Sequence, residues 1–407
     1  MLSQEAIERL AKPIIDRQEA INLRILKLIA KRIMEIGELL PSDVYKLERL
    51  LKTGADVRKI NDMLAETTNL QVTDIKQLIR TVALDAYIDT KPYFDYRHKP
   101  FIPFNENKPL QNVVKAIEKQ TAGTYENLSK AQAFMLRDPK NPKKFIPTSP
   151  AKTYTKVVDE AIQTVQSGTE NYKSTMRRTL KQLIDSGIRW VKYQTEKGRF
   201  HTQRLDTAVR RNLMDGIRNI NQEVQNEVGR QFGATGKEIS VHAYSAPDHE
   251  PIQGHQFTDA EWEKLQNDQP FEDILGNKFD AIRRPIGIWN CRHFAWSIIV
   301  GVTKPNYTLA QLEKFKEDNN KGYTLLNGKH YTMYECSQIQ RQMETNIRRL
   351  KEGQIAARQA GDDFLAKEYQ AKVSSSIKEY VAFSNACGLK YKPDRLEVSG
   401  YKKIRTK

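Results

Sequence analysis

The 407-residue chain is 39% hydrophobic, which is long and apolar enough for two or three domains with their own cores and excludes disorder throughout. It has no run of the roughly 18 to 20 uninterrupted apolar residues that a membrane span needs, and Glu5 and Glu8 stand where a secretory signal would be basic and then apolar, so the protein is expected to be soluble and to stay in the cytoplasm where it is made. Cys291, Cys336 and Cys387 are too few and too scattered for a disulfide framework, while a formal net charge of +16 favours a polyanionic neighbour, nucleic acid or an acidic protein surface, over a bare set of solvated lysines.

Between residues 13 and 37, Ile14, Ile21, Ile25, Leu28, Ile29, Ile33 and Ile36 recur at three- and four-residue steps, the period of an amphipathic helix that Gly37 and Pro41 end. Ser42 is placed to cap a second helix carrying Val44, Leu47, Leu50 and Leu51. Gly54 and Asp56 restart a third, and Thr73 or Asp74 a fourth through Ile75, Leu78, Ile79 and Val82. A loop rich in aromatic, proline and basic residues follows, with Lys91, Tyr93, Phe94, Tyr96, Arg97, His98, Phe101, Pro103 and Phe104. Its rings can stack on bases or fill a partner's groove, but such loops more often lie on their own domain. Helical patterning returns over 109–135 and completes an N-terminal helical region, residues 1–136.

Pro139, Asn141, Pro142, Lys143, Lys144, Pro147 and Pro150 cannot propagate a helix, so 137–152 reads as a Pro/Lys-rich linker or exposed arm. A basic helical segment, 153–232, holds two helices near 153–187 and 203–231. Basic residues gather along it beside apolar positions such as Leu205, Val209, Leu213, Ile217, Ile220 and Val224, so the charges are most simply a solvated outer face. Arg177, Arg178, Lys181, Arg189, Lys192, Arg199, Arg204, Arg210 and Arg211 are the candidates to lie near nucleic acid, as phosphate contacts that read no sequence.

The pattern changes at Gly233. Residues 233–310 carry short apolar runs (239–244, 286–289, 294–302) between glycines, prolines and aspartates, the signature of a small α+β domain of short strands and loops. The remainder, 311–407, reads as a C-terminal helical hairpin and basic tail. Ile339, Met343, Ile347 and Leu350 mark the first arm, Gly361, Asp362 and Asp363 the turn, and Phe364, Leu365, Tyr369, Val373, Ile377, Tyr380 and Val381 the second arm. Lys402, Lys403, Arg405 and Lys407 form a loose tail. The expected fold is therefore mainly α with a small α+β domain.

Three stretches together resemble the phage minor capsid protein 2 family, which is related to phage head-morphogenesis proteins. The first is the helix with Arg204, Asp206, Val209 and Arg210. The second runs from His242-Ala243 through Pro247-Asp248-His249 and Gln253-Gly254 to Gly287, Asn290-Cys291-Arg292-His293 and Gly301. The third is Tyr334-Glu335-Cys336 leading into Gln338, Gln340, Arg341, Glu344 and Arg348-Arg349. The likeness covers most of 200–400, and the N-terminal half fits only the family's general plan. Ala246 stands where the family often has an arginine, so any role of that arginine is absent here or supplied elsewhere. The resemblance implies a head-morphogenesis-like α+β domain in a minor capsid protein, present in a few copies at the portal vertex of a tailed-phage or prophage head. It implies work in head assembly, DNA packaging or DNA delivery, with portal or other capsid proteins and packaged double-stranded DNA as partners, no membrane, and passage from host cytoplasm to virion.

Four of the seven histidines and one cysteine fall between residues 242 and 293. His242, His249, Cys291 and His293 offer a tetrahedral zinc set in a spacing that matches no zinc finger. A plainer arrangement has His249 and His293 bonding backbone carbonyls to hold the loops, with Cys291 as a small buried apolar residue. A third reading is a metal-dependent DNA-processing or toxin-like enzyme, with Cys291 as nucleophile and His249 as base, or His249 with Asp248 or Glu250 around a metal. The plainer arrangement is favoured, no cofactor is required, and the chain is expected not to be an enzyme. Phosphate-cradling Gly-x-x-x-x-Gly-Lys-Ser/Thr and Gly-x-Gly-x-x-Gly patterns are missing, which disfavours an ATP-driven motor.

Overall fold

A computed structural model of the chain describes residues 4–37, 54–138, 140–167, 172–194, 200–289, 291–325 and 328–404. It is mainly helical with small antiparallel sheets, the fold class that the periodicities predict. The chain forms two compact units: Met1–Pro13, Val72–Tyr125 and Arg210–Gln338 make the first, and Ile14–Gln71, Glu126–Val209 and Ile339–Lys407 the second. No helix among the described residues is long and apolar enough to cross a membrane.

Helix α1, Gln4–Gly37, begins before the expected start and carries Pro13 inside it. Ile7 and Ala11 are buried in line with Ile14, so the apolar stripe continues across the proline, which removes only one backbone donor. Helix α2, Ala55–Ile88, is one element where the sequence predicts two. Thr67 and Gln71 are buried on the stripe that joins Ile60 and Met63 to Ile75 and Ile79, and these polar residues at core positions disguise its continuity. The expected helix through Val44 and Leu51 lies outside the described residues.

In the second unit a four-stranded antiparallel sheet runs in the order β2-β1-β3-β4, with β1 Gln132–Asp138, β2 Asn141–Thr148, β3 Arg189–Gln194 and β4 Phe200–Arg204. The stretch expected as a linker thus supplies a strand. Prolines are tolerated there because β2 is an edge strand, paired only with β1 (Phe134 opposite Thr148, Leu136 opposite Ile146). The C-terminal hairpin is present. The long helices Met333–Gln359 and Asp363–Ala386 are joined at Gly361, whose φ of +66° suits glycine. Gln340 bonds Ser384 at 2.9 Å and Glu344 bonds Tyr380 at 2.9 Å, so partners descend on one arm as they rise on the other.

In the first unit the aromatic loop after α2 folds back on its own unit. Lys91–Tyr96 forms a short helix, Phe101 stacks on Tyr87 at 4.6 Å, and Phe94 meets Phe232 at 4.8 Å. The long helix Leu205–Gln231 reaches this unit from Arg210 onward. Gly216 lets it approach Thr121, and Gly229 leaves room for Ser297. The small α+β part is a three-stranded antiparallel sheet, β6-β5-β9 (Gln256–Thr258, Gly236–Ile239, Ala295–Ile298), with a short antiparallel pair, β7-β8 (Phe271–Glu272, Lys278–Phe279), between β6 and β9 in the chain. Helix Asp259–Gln266 follows β6 and is capped by Thr258, whose side chain accepts from the Glu261 N–H. Ile239, Ile252, Phe257, Leu265, Phe271, Ile282, Ile286 and Cys291 form the apolar core beside this sheet.

Candidate metal centre

The central strand β5 and the third strand β9 of the small sheet deliver the histidine and cysteine cluster of the first unit. Just beyond β5, Ser240 and Phe294 exchange hydrogen bonds: Ser240 N–H donates to the Phe294 carbonyl at 2.8 Å, and Phe294 N–H to Ser240 Oγ at 3.1 Å. This clamp sets His242 and His293 side by side, with ring centroids 4.2 Å apart. His249 precedes a short 3-10 turn, Glu250–Ile252. After that turn Gly254, with φ of +76°, donates to the Ile239 carbonyl and returns the chain to β6. Cys291 is held by its N–H to the Ile288 carbonyl at 3.0 Å.

His249 and His293 are buried, and each turns Nδ1 toward Cys291 Sγ, at 3.3 and 3.5 Å. His249 Nε2 meets the Arg284 carbonyl at 2.7 Å, and His293 Nε2 lies 3.3 Å from Gln253 Oε1 and 3.4 Å from Ser245 Oγ. Arg284 is itself gripped by both oxygens of Asp248, at 2.9 and 2.6 Å, and Glu250 accepts from Asn319 at 2.7 Å. Burial pushes the His242 imidazole down to about 4 and also lowers His249 and His293. The same loss of water pushes the Cys291 thiol up, so burial works against the thiolate that a cysteine nucleophile requires. Asp248 pairs with Arg284 and Glu250 accepts from Asn319, so both carboxylates bond groups around the cluster.

Three of the four sequence candidates meet at one point: donor atoms of His249, Cys291 and His293 all lie within 4.8 Å of one another. His242 is outside that group, and its Nδ1 bonds the adjacent Ala243 carbonyl at 3.0 Å. Sequence reasoning missed Ser245 and Arg284. Of the supporting groups, only Gln253 and Asp248 lay within a motif that drew notice.

The model of the phage minor capsid protein 2 family matches residues 2–383. The chain belongs to that family. This minor capsid protein is a structural component of a phage particle, not an enzyme, and its neighbours are other virion proteins. The match takes in the N-terminal helical half as well as the stretch between 200 and 400. No curated protein and no solved structure matches the chain.

The basic candidates of the minor capsid protein divide by environment. In the second unit Arg177, Arg178, Lys181 and Arg189 line a concave basin of 1530 Å³ together with Arg137, Lys143, Lys144 and Lys156, against Asp138, Glu160 and Asp185. Arg177 is paired with Asp362, Arg178 with Glu160 at 3.6 Å, and Lys181 with Glu368 at 3.0 Å. Lys143, Lys144 and Lys156 have no ion pair among the described residues. Lys192 is exposed, with its ammonium over the Trp190 ring. Arg204 is a correction to the outer-face expectation. Its side chain is only 10% exposed and bonds Asp206 at 3.1 Å and Glu352 at 2.8 Å, because the turn from β4 into the long helix points it inward. In the first unit Arg210 pairs with Glu8 at 2.9 Å and Arg211 is half-buried. Arg199 lies outside the described residues.

Proposed function

We propose that this minor capsid protein serves in the head at the portal vertex, where its helices contact portal or capsid subunits and its basic face lies against packaged double-stranded DNA. The basin of the second unit carries the reading. Eight lysines and arginines line one concavity; Arg177, Arg178 and Lys181 are paired with acids, and the remaining basic groups, Lys143, Lys144 and Lys156 among them, attract phosphate by counterion release without reading bases. Such a surface tolerates or guides DNA of any sequence, as packaging and delivery require. Cross-linking mass spectrometry of intact heads tests the placement: cross-links from this chain to portal subunits are expected, and cross-links confined to major capsid subunits distant from the vertex would count against it. Assembly takes the protein from host cytoplasm into the particle.

A further inference from the structure

The two imidazoles around Cys291 are each fixed through the nitrogen that faces away from the sulfur. His249 Nε2 lies 2.7 Å from the Arg284 carbonyl, which only accepts, so Nε2 carries the proton and Nδ1 is a bare lone pair. His293 Nε2 faces Gln253 Oε1, and that atom is the oxygen of the amide because the His242 backbone N–H donates to it at 3.3 Å. His293 Nδ1 is therefore a second bare lone pair. Both lone pairs point at one sulfur, which already accepts the His293 N–H at 3.3 Å. With both imidazoles neutral, a thiol has one proton for two lone pairs and a thiolate has none, so acceptor faces acceptor in a buried site unless the positive charge of an imidazolium is buried there.

We propose that His249 Nδ1, Cys291 Sγ and His293 Nδ1 bind a zinc ion. Zinc bonds of about 2.3 Å to sulfur and about 2.0 Å to nitrogen, at the tetrahedral angle, set the two ligand types about 3.5 Å apart. The separations here are 3.3 and 3.5 Å. A nitrogen and thiolate donor set with no carboxylate selects zinc over calcium or magnesium. The Arg284 carbonyl and the Gln253 amide oxygen take the distal N–H of each imidazole, the outer support that orients metal-bound histidines. Asp248 in turn anchors Arg284. His242 stands outside this three-ligand set. The ion ties the loop after β5 to the lead-in of β9, stapling a small sheet with a short core, wherever in the particle the protein sits.

The test uses the full chain, purified without chelator from zinc-supplemented cells and freed of any affinity tag. Elemental analysis is expected to find about one zinc per chain. Cobalt exchanged for zinc should give a thiolate-to-cobalt charge-transfer band that is lost in Cys291→Ala and kept in Cys336→Ala. His242→Ala should keep the metal, and its loss there would overturn the three-ligand assignment. A wild-type chain that melts cooperatively, yet holds under about a tenth of an equivalent of zinc and gives no band with cobalt, would overturn the site itself.

Discussion

Glu19 shows what single buried charges do in this protein. In the second unit it lies 3.7 Å from Arg348, in a cluster where Arg204 bonds Asp206 and Glu352. Burial, with Asp206 adding to it, pushes the Glu19 carboxyl from 4.5 up to about 7. The folded chain then binds the proton that the unfolded chain has released, so the free energy of unfolding falls as pH rises from about 4.5 to 7 and stays reduced above that. Glu19→Gln should flatten this slope and raise stability at pH 8 by roughly 2 kcal/mol, allowing for partial exposure. Denaturant titrations at pH 5 and pH 8 read the difference, and an unchanged slope would refute the account. At this scale the sequence was informative about residue type but not about direction. The density of histidine and cysteine between 242 and 293 marked the cluster, yet spacing could not show that His242 turns to its own backbone. Nor could it show that Ser245, Gln253 and Arg284 close the ring, since these come together only in the folded chain. Arg204 was indistinguishable from a surface arginine because its partner Glu352 is distant in sequence.

Elements were legible where one face repeats without interruption. The C-terminal hairpin follows from two apolar runs and the Gly361 turn. Its register, which no pattern predicts, is set by polar pairs inside it: Tyr380 donates to Glu344, and both are buried. Tyr380→Phe keeps the ring's packing but leaves a buried carboxylate oxygen short of a donor, an expected cost of about 1 to 3 kcal/mol. Chemical denaturation of the variant measures it, and a cost indistinguishable from zero would mean that Arg395, 3.7 Å from Glu344, already satisfies the carboxylate. Elsewhere polar core residues and prolines misled. Thr73 and Asp74, read as the start of a new helix, divided α2 on paper where Thr67 and Gln71 interrupt its apolar stripe, and the prolines near 147 concealed an edge strand that needs few donors. The short strands of the 233–310 region were expected in kind. Their order, with β5 between β6 and β9, rests on tertiary pairing.

At the scale of the molecule, charge and family agree. If the basin lies against DNA, the combined change Lys143→Glu, Lys144→Glu and Lys156→Glu should weaken binding to all sequences alike. It should also shrink the slope of log affinity against log salt by about 2 to 3, one step per lost phosphate contact. Fluorescence anisotropy with two unrelated duplexes across a salt series reads both quantities, and an unchanged slope would remove the basin from the DNA path. The most direct check on the central claim is quantitative mass spectrometry of purified phage particles and partial heads from a strain encoding this chain. A few copies per head, recovered with the portal, are the expected result. Absence of the chain from both particles and partial heads, while it accumulates in the lysate, would contradict a structural role in the virion.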